Sequence, residues 1–99
     1  MARFQIFAAP DGEGYLPDVQ SDLFDSFKTR VVVPLLPKGA TPPLIARLHP
    51  VFKVGADEYV LASHLLATVP REMLAEPRGD LASERDRIVA ALDMLFRGF

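Results

Sequence analysis

The stretch Asp80-Leu81-Ala82-Ser83-Glu84-Arg85-Asp86-Arg87-Ile88-Val89-Ala90-Ala91-Leu92-Asp93-Met94-Leu95-Phe96-Arg97-Gly98-Phe99 decides the fold class. Leu81, Ile88, Leu92 and Leu95 recur at spacings of 7, 4 and 3, which is one face of an α-helix. Val89 and Phe96 are expected to widen that stripe. Glu84, Arg85, Asp86 and Arg87 lie toward its start and polar side. Asp80 can cap the segment by accepting from a backbone N–H two or three residues on. Helical order is expected to fade at Arg97-Gly98, because Gly commonly follows a helix.

Upstream the chain has a different character. Its nine Pro all precede this segment, the last at Pro77, and Pro breaks helix interiors and central strands. Short extended segments joined by turns are therefore expected. Phe4, Ile6 and Ala8 alternate with Arg3, Gln5 and Phe7, a strand pattern. Asp11-Gly12-Glu13-Gly14 reads as a turn, and Tyr15 to Val19 as the returning strand. Arg30 to Leu36 is apolar and β-branched enough for a central strand buried on both faces, with a bulge or an edge-facing position at Pro34. Lys38 to Pro43 reads as an exposed loop. Leu48 to Val54 and Glu58 to Ala62 read as a hairpin about Gly55-Ala56-Asp57, with weaker strands at Leu65 to Val69 and Met73-Leu74. The whole reads as mainly antiparallel β with one C-terminal helix packed on the sheet, an α+β chain.

The 99 residues form one expected domain, 1–99, with a formal charge of -2, 49% hydrophobic and 24% charged residues. The absence of Cys excludes disulfide scaffolds, thiolate zinc sites and Cys nucleophiles, and it fits a cytoplasmic protein. Two His, His49 and His64, are too few for a His-rich metal site. No apolar run approaches the roughly 20 residues that span a bilayer, and Met1 to Ile6 lacks a signal-peptide pattern. The slight acidic excess argues against general nucleic-acid binding. No cofactor motif is present: Gly12-Glu13-Gly14 lacks the residues and the helix of a phosphate loop.

Catalytic candidates are thin. No Ser sits in a nucleophile elbow. Ser63 and His64 are adjacent, which on a strand points them to opposite faces, and His64 reads as an exposed loop residue. His49 reads as a half-buried, hydrogen-bonded side chain. Asp18, Asp22 and Asp25 could do acid–base work or hold a divalent cation, but with Ser21 and Ser26 they read as turn and cap residues. Phe96-Arg97-Gly98-Phe99 either folds Phe99 back onto the core or presents an aromatic and cationic tip that docks into another protein.

Asp18-Val19-Gln20-Ser21-Asp22, Arg30-Val31-Val32-Val33-Pro34-Leu35, Leu48-His49-Pro50-Val51-Phe52, Ala67-Thr68-Val69-Pro70 and Leu92 to Phe99 occur in an order and spacing that resembles the CcdB family, toxins of type II toxin–antitoxin systems. The resemblance implies an SH3-like barrel, shared with the MazF ribonuclease toxins, with a five-stranded sheet, a small extra sheet and a C-terminal helix. It implies a homodimer that is not an enzyme and uses no cofactor. Its partners would be the DNA gyrase A subunit, trapped in its cleavage complex, and a CcdA-like antitoxin, through which DNA is met only indirectly. Gyrase binding would rest on Arg97, Gly98 and Phe99, where the family has Trp-Gly-Ile, with Asp93 where the family has a neutral amide. Arg97 can stack but makes the interface more polar. Arg3, Lys28, Arg30, Lys38 and Arg47 are candidates, by charge alone, to receive an acidic antitoxin segment. Two alternatives stand beside this reading. One is a MazF-like endoribonuclease, which the net charge disfavours. The other is a toxin that keeps dimer and antitoxin binding without poisoning gyrase, as an antitoxin sink or autoregulatory partner.

Overall fold

Pro34 divides the longest apolar run of the chain into two strands that belong to different sheets. A computed structural model describes residues 2–98. The run from Arg30 to Leu36, expected as one central strand, separates into β3 (Thr29–Val32) and β4 (Leu35–Pro37). Pro has no N–H to give a ladder, so pairing stops there. The Pro34 carbonyl still accepts from the Ala62 N–H at 2.8 Å.

Around this break lie β1 (Gln5–Ala8), β2 (Tyr15–Pro17), β5 (Val51–Val54), β6 (Asp57–Leu61), β7 (Ala67–Pro70) and β8 (Gly79–Asp80). The larger sheet is antiparallel and six-stranded, in the order β5-β6-β4-β2-β1-β8; β3 and β7 form a separate pair. The sheet thus has one strand more than the five expected, because the two-residue β8 adds to the edge of β1. The β1–β2 hairpin forms as expected, with Ala8 opposite Tyr15. The β5–β6 hairpin does also, with Val54 opposite Asp57. Gly14 turns the first hairpin with a φ of 80°, a conformation that glycine reaches without steric cost. The expected strand at Met73-Leu74 is instead a 3-10 turn, Arg71–Met73, which places Leu74 in the interior.

The alternation at the start of the chain holds only in part. Ile6 and Phe7 are consecutive, so their side chains leave opposite faces of β1, and both are buried. Ile6 joins the main core with Phe4, Val33, Leu35, Phe52, Leu61, Leu81 and the helix residues Ile88 and Ala91. Phe7 joins a second core with Val32 and Leu74. The β3–β7 pair covers the face of β1 that a one-sided sheet would leave wet. Phe4 sits just before β1 in the left-handed region, φ 72°. Two backbone bonds hold it there: its N–H donates to the Asp18 carbonyl at 2.6 Å, and its carbonyl accepts from the Leu81 N–H at 2.8 Å. Burial of its ring offsets a backbone cost on the order of 1 kcal/mol.

Asp80, expected to cap the helix, ends β8 instead; its Oδ1 accepts from the Ala82 N–H at 2.9 Å, but the helix begins at Arg85 with no side-chain cap. A 3-10 turn, Ala82–Glu84, leads into the helix α1 (Arg85–Arg97). Ile88 and Ala91 form the centre of the buried face, with Val89 and Leu92 packed beside them. Phe96, expected to widen the stripe, is 69% exposed. No helix among the described residues is long and apolar enough to cross a membrane.

Candidate functional site

The last turn of α1 turns an aromatic and a cation outward. Phe96 and Arg97 are both exposed, and Asp93 lies one turn before Arg97 and is half-buried. Gly98 closes the helix in the left-handed conformation, φ 80°, with its N–H donating to the Met94 carbonyl at 2.9 Å. A Cβ at Gly98 would meet nothing within 4 Å, so there is open space at this position. Phe99, the remaining residue of the expected tip, lies outside the described residues.

The five cations expected to receive an acidic segment are not brought together. Arg30 is corrected outright: it is fully buried, and its charge is used inside the protein. Arg3 is half-buried, donates from Nε to the Val19 carbonyl at 3.0 Å and lies 4.6 Å over the Phe4 ring. Lys28, Lys38 and Arg47 are exposed and line three separate cavities. Lys38 faces Glu58 at 3.5 Å. Arg47 shares a cavity of about 130 Å³ with Ala46, Pro50, Arg87 and Ala90.

The carboxylates Asp18, Asp22 and Asp25 also have structural work, and only part of it is the expected turn chemistry. Asp18 Oδ1 accepts from the Gln20 N–H at 3.0 Å, Asp22 Oδ1 from the Arg3 N–H at 2.8 Å, and Ser21 Oγ from the Leu23 N–H at 3.2 Å. Asp25 faces Arg30 at 3.3 Å, and its carbonyl accepts from Arg71 Nη1. Burial pushes the Asp18 carboxyl above the usual carboxylate value, while Arg30 and the Gln20 N–H pull it back. Among the described residues no group of three or more His, Cys, Asp or Glu is placed to hold a metal ion.

The two histidines form a contact that adjacency reasoning missed. His64 is exposed, as expected, while His49 is buried rather than half-buried, and His49 Nε2 lies 2.9 Å from His64 Nδ1. Ser63-His64 lies on a 3-10 turn, Ser63–Leu65, rather than a strand. Ser63 Oγ is buried and makes no bond to His64, so a Ser–His couple is absent.

Comparison with known proteins adds two findings. A family model described as CcdB protein matches residues 3–98. A solved structure titled "Endoribonuclease in complex with its cognate antitoxin from Mycobacterial species" superposes with a TM-score of 0.74 over 95% of this chain and 92% of that one. The sequences are 17% identical, so this likeness establishes the fold, the curled SH3-like sheet with its C-terminal helix.

Proposed function

The chain belongs to the CcdB family of toxins of toxin–antitoxin systems, and from that premise we propose that it is a cytoplasmic, homodimeric, non-enzymatic poison of DNA gyrase. The observation that carries this reading is the end of α1. An exposed Phe96 beside an exposed Arg97 and a capping Gly98 is the aromatic–cation chemistry of an interface hot spot on a rigid support. Gly98 lets a partner backbone approach closely, because it has no Cβ. In a two-fold dimer, two such ends engage a two-fold target isologously. Phe99 would complete the tip. Arg97 in the family's Trp position makes the contact more polar, with its planar guanidinium stacking where the indole would lie.

A CcdA-like antitoxin would bind as an acidic segment across Lys28, Lys38 and Arg47, and the toxin would meet operator DNA through that complex. The endoribonuclease reading draws on the likeness to the mycobacterial protein, which concerns the fold.

A supercoiling and cleavage assay with gyrase tests the proposal, with Gly98→Glu of verified fold beside the wild type. Linear DNA accumulating with the wild type alone supports it. An intact dimer that neither traps cleavage nor inhibits supercoiling overturns it. RNA cleaved at defined sites by the purified protein would establish the enzyme instead.

A further inference from the structure

His49 is positioned to sense protons for the loop that precedes β5. Its Nδ1 accepts from the N–H groups of Ile45, at 3.2 Å, and Leu44, at 3.4 Å. A nitrogen that accepts carries no hydrogen, so the ring hydrogen of neutral His49 is on Nε2. That hydrogen is donated to His64 Nδ1, 2.9 Å away, with the two rings edge to face. His49 N–H closes the same loop by donating to the Ile45 carbonyl at 2.7 Å. The buried imidazole therefore ties two segments together, and only in one tautomer.

This arrangement excludes a metal as the purpose of the pair. A metal on His49 Nε2 would require a hydrogen on Nδ1, and ligating histidines donate that hydrogen to an acceptor. Here two N–H donors point at Nδ1 instead.

We propose that His49 is a proton-operated latch: neutral, it holds the Leu44–His49 loop against the 3-10 turn that carries His64; protonated at Nδ1, it meets two N–H groups with a third and lets the loop go. The surroundings offer the cation no relief. Burial, and secondarily His64, hold the His49 pKa below its usual value. The charged groups on neighbouring elements are of both signs, and the nearest to the loop are cations. Arg47 lies on the loop itself and Lys53 on β5. Arg87 of α1 donates to the Val51 carbonyl at 3.0 Å and faces Glu84 at 3.5 Å. Asp57 and Glu58 lie at the turn end of the β5–β6 hairpin, away from Pro50. A histidine whose folded pKa is lowered contributes stability that is fully present above its unfolded value, about 6.5. That contribution is lost as pH falls through the folded value. Leu44 and Ile45 are already 82% and 46% exposed, so release of the loop uncovers little apolar surface and need not unfold the barrel. What it changes is the fixed presentation of those two apolar side chains.

Nuclear magnetic resonance of the whole protein between pH 8 and pH 5 tests this. The Leu44 and Ile45 amide signals and the His49 ring are followed together, with the Val19 amide, bonded to the Val31 carbonyl, as a core reference. The expected result is one midpoint shared by Leu44, Ile45 and His49, below 6.5. Amide protection of the two loop residues is expected to fall by up to about tenfold per pH unit between 6.5 and that midpoint and to level off below it, while Val19 is unchanged. Loop amides that stay constant through the His49 titration, or that change only together with Val19, overturn the latch.

Discussion

Arg30 approaches a single oxygen of Asp18 with two nitrogens, Nε at 2.8 Å and Nη2 at 2.6 Å from Oδ2, and both side chains are fully buried. The pair joins β3 to the segment after β2, beside the Asp18–Val32 bridge. It spans the interval between the two sheets and places a charged residue inside β3, next to Val31 and Val32.

Removing one partner leaves the other buried and uncompensated. Arg30→Met is expected to cost about 3–5 kcal/mol at neutral pH. Burial raises the Asp18 pKa and Arg30 opposes that rise, so without Arg30 the folded form favours protonated Asp18 more strongly. A raised carboxyl contributes stability that is present below its unfolded value and lost as pH rises through the folded one. The Arg30→Met deficit is therefore expected to be larger at pH 7.5 than at pH 5 in denaturant titrations. The double variant Arg30→Met/Asp18→Leu is expected to regain most of the loss, because neither charge is then left alone. A deficit independent of pH, or no recovery in the double variant, contradicts this account.

Two turn glycines share the same φ of 80° and differ in surroundings. A Cβ at Gly12 meets open space, whereas one at Gly14 falls on the Leu35 carbonyl oxygen in β4. Gly12→Ala is expected to cost about 1 kcal/mol, the strain of the backbone alone. Gly14→Ala is expected to cost more than about 2 kcal/mol, because backbone must move as well. Equal thermal midpoints for the two variants would show that β2 and β4 are not held at this separation.

Ile88 and Phe96 lie two turns apart on α1 with opposite surroundings, one fully buried and one 69% exposed. Ile88→Ala is expected to cost about 2–5 kcal/mol by opening a cavity in the main core. Phe96→Ala is expected to leave stability within about 0.5 kcal/mol for the folded subunit while abolishing growth inhibition. Growth inhibition that survives Phe96→Ala removes this turn from the docking surface.

Lys28 and Arg47 line separate cavities and are both exposed. An acidic antitoxin segment long enough to wrap the toxin is expected to lose roughly tenfold in affinity, about 1.4 kcal/mol, for Lys28→Glu and for Arg47→Glu. Isothermal titration at two salt concentrations checks this. Affinity unchanged by both reversals places the antitoxin elsewhere.

How far the residues alone reach is visible at the two ends of the chain. The helix and its glycine stop are written in spacings of three to seven residues and in local backbone bonds, so they can be read directly. The first hairpin is written in Gly14 and its flanking strands. Alternation puts Phe7 on the polar side of a strand, because the β3–β7 pair that covers it is contributed from elsewhere in the chain. Periodicity assigns the exposed Phe96 to the apolar stripe, because it gives a direction but not how far the sheet extends beneath the helix.

The sequence by itself determined the β-rich chain ending in one helix, the turn positions, the absence of thiol chemistry and, through its ordered motifs, the family. Only the tertiary structure decided that Arg30 is an interior charge rather than a surface one, that Pro34 divides one run between two sheets, and that His49 meets His64. Local backbone preferences act over a few residues and leave a pattern. Charge pairing and two-sided burial join residues 12, 15 or more positions apart, and they are settled only when the sheets close on each other.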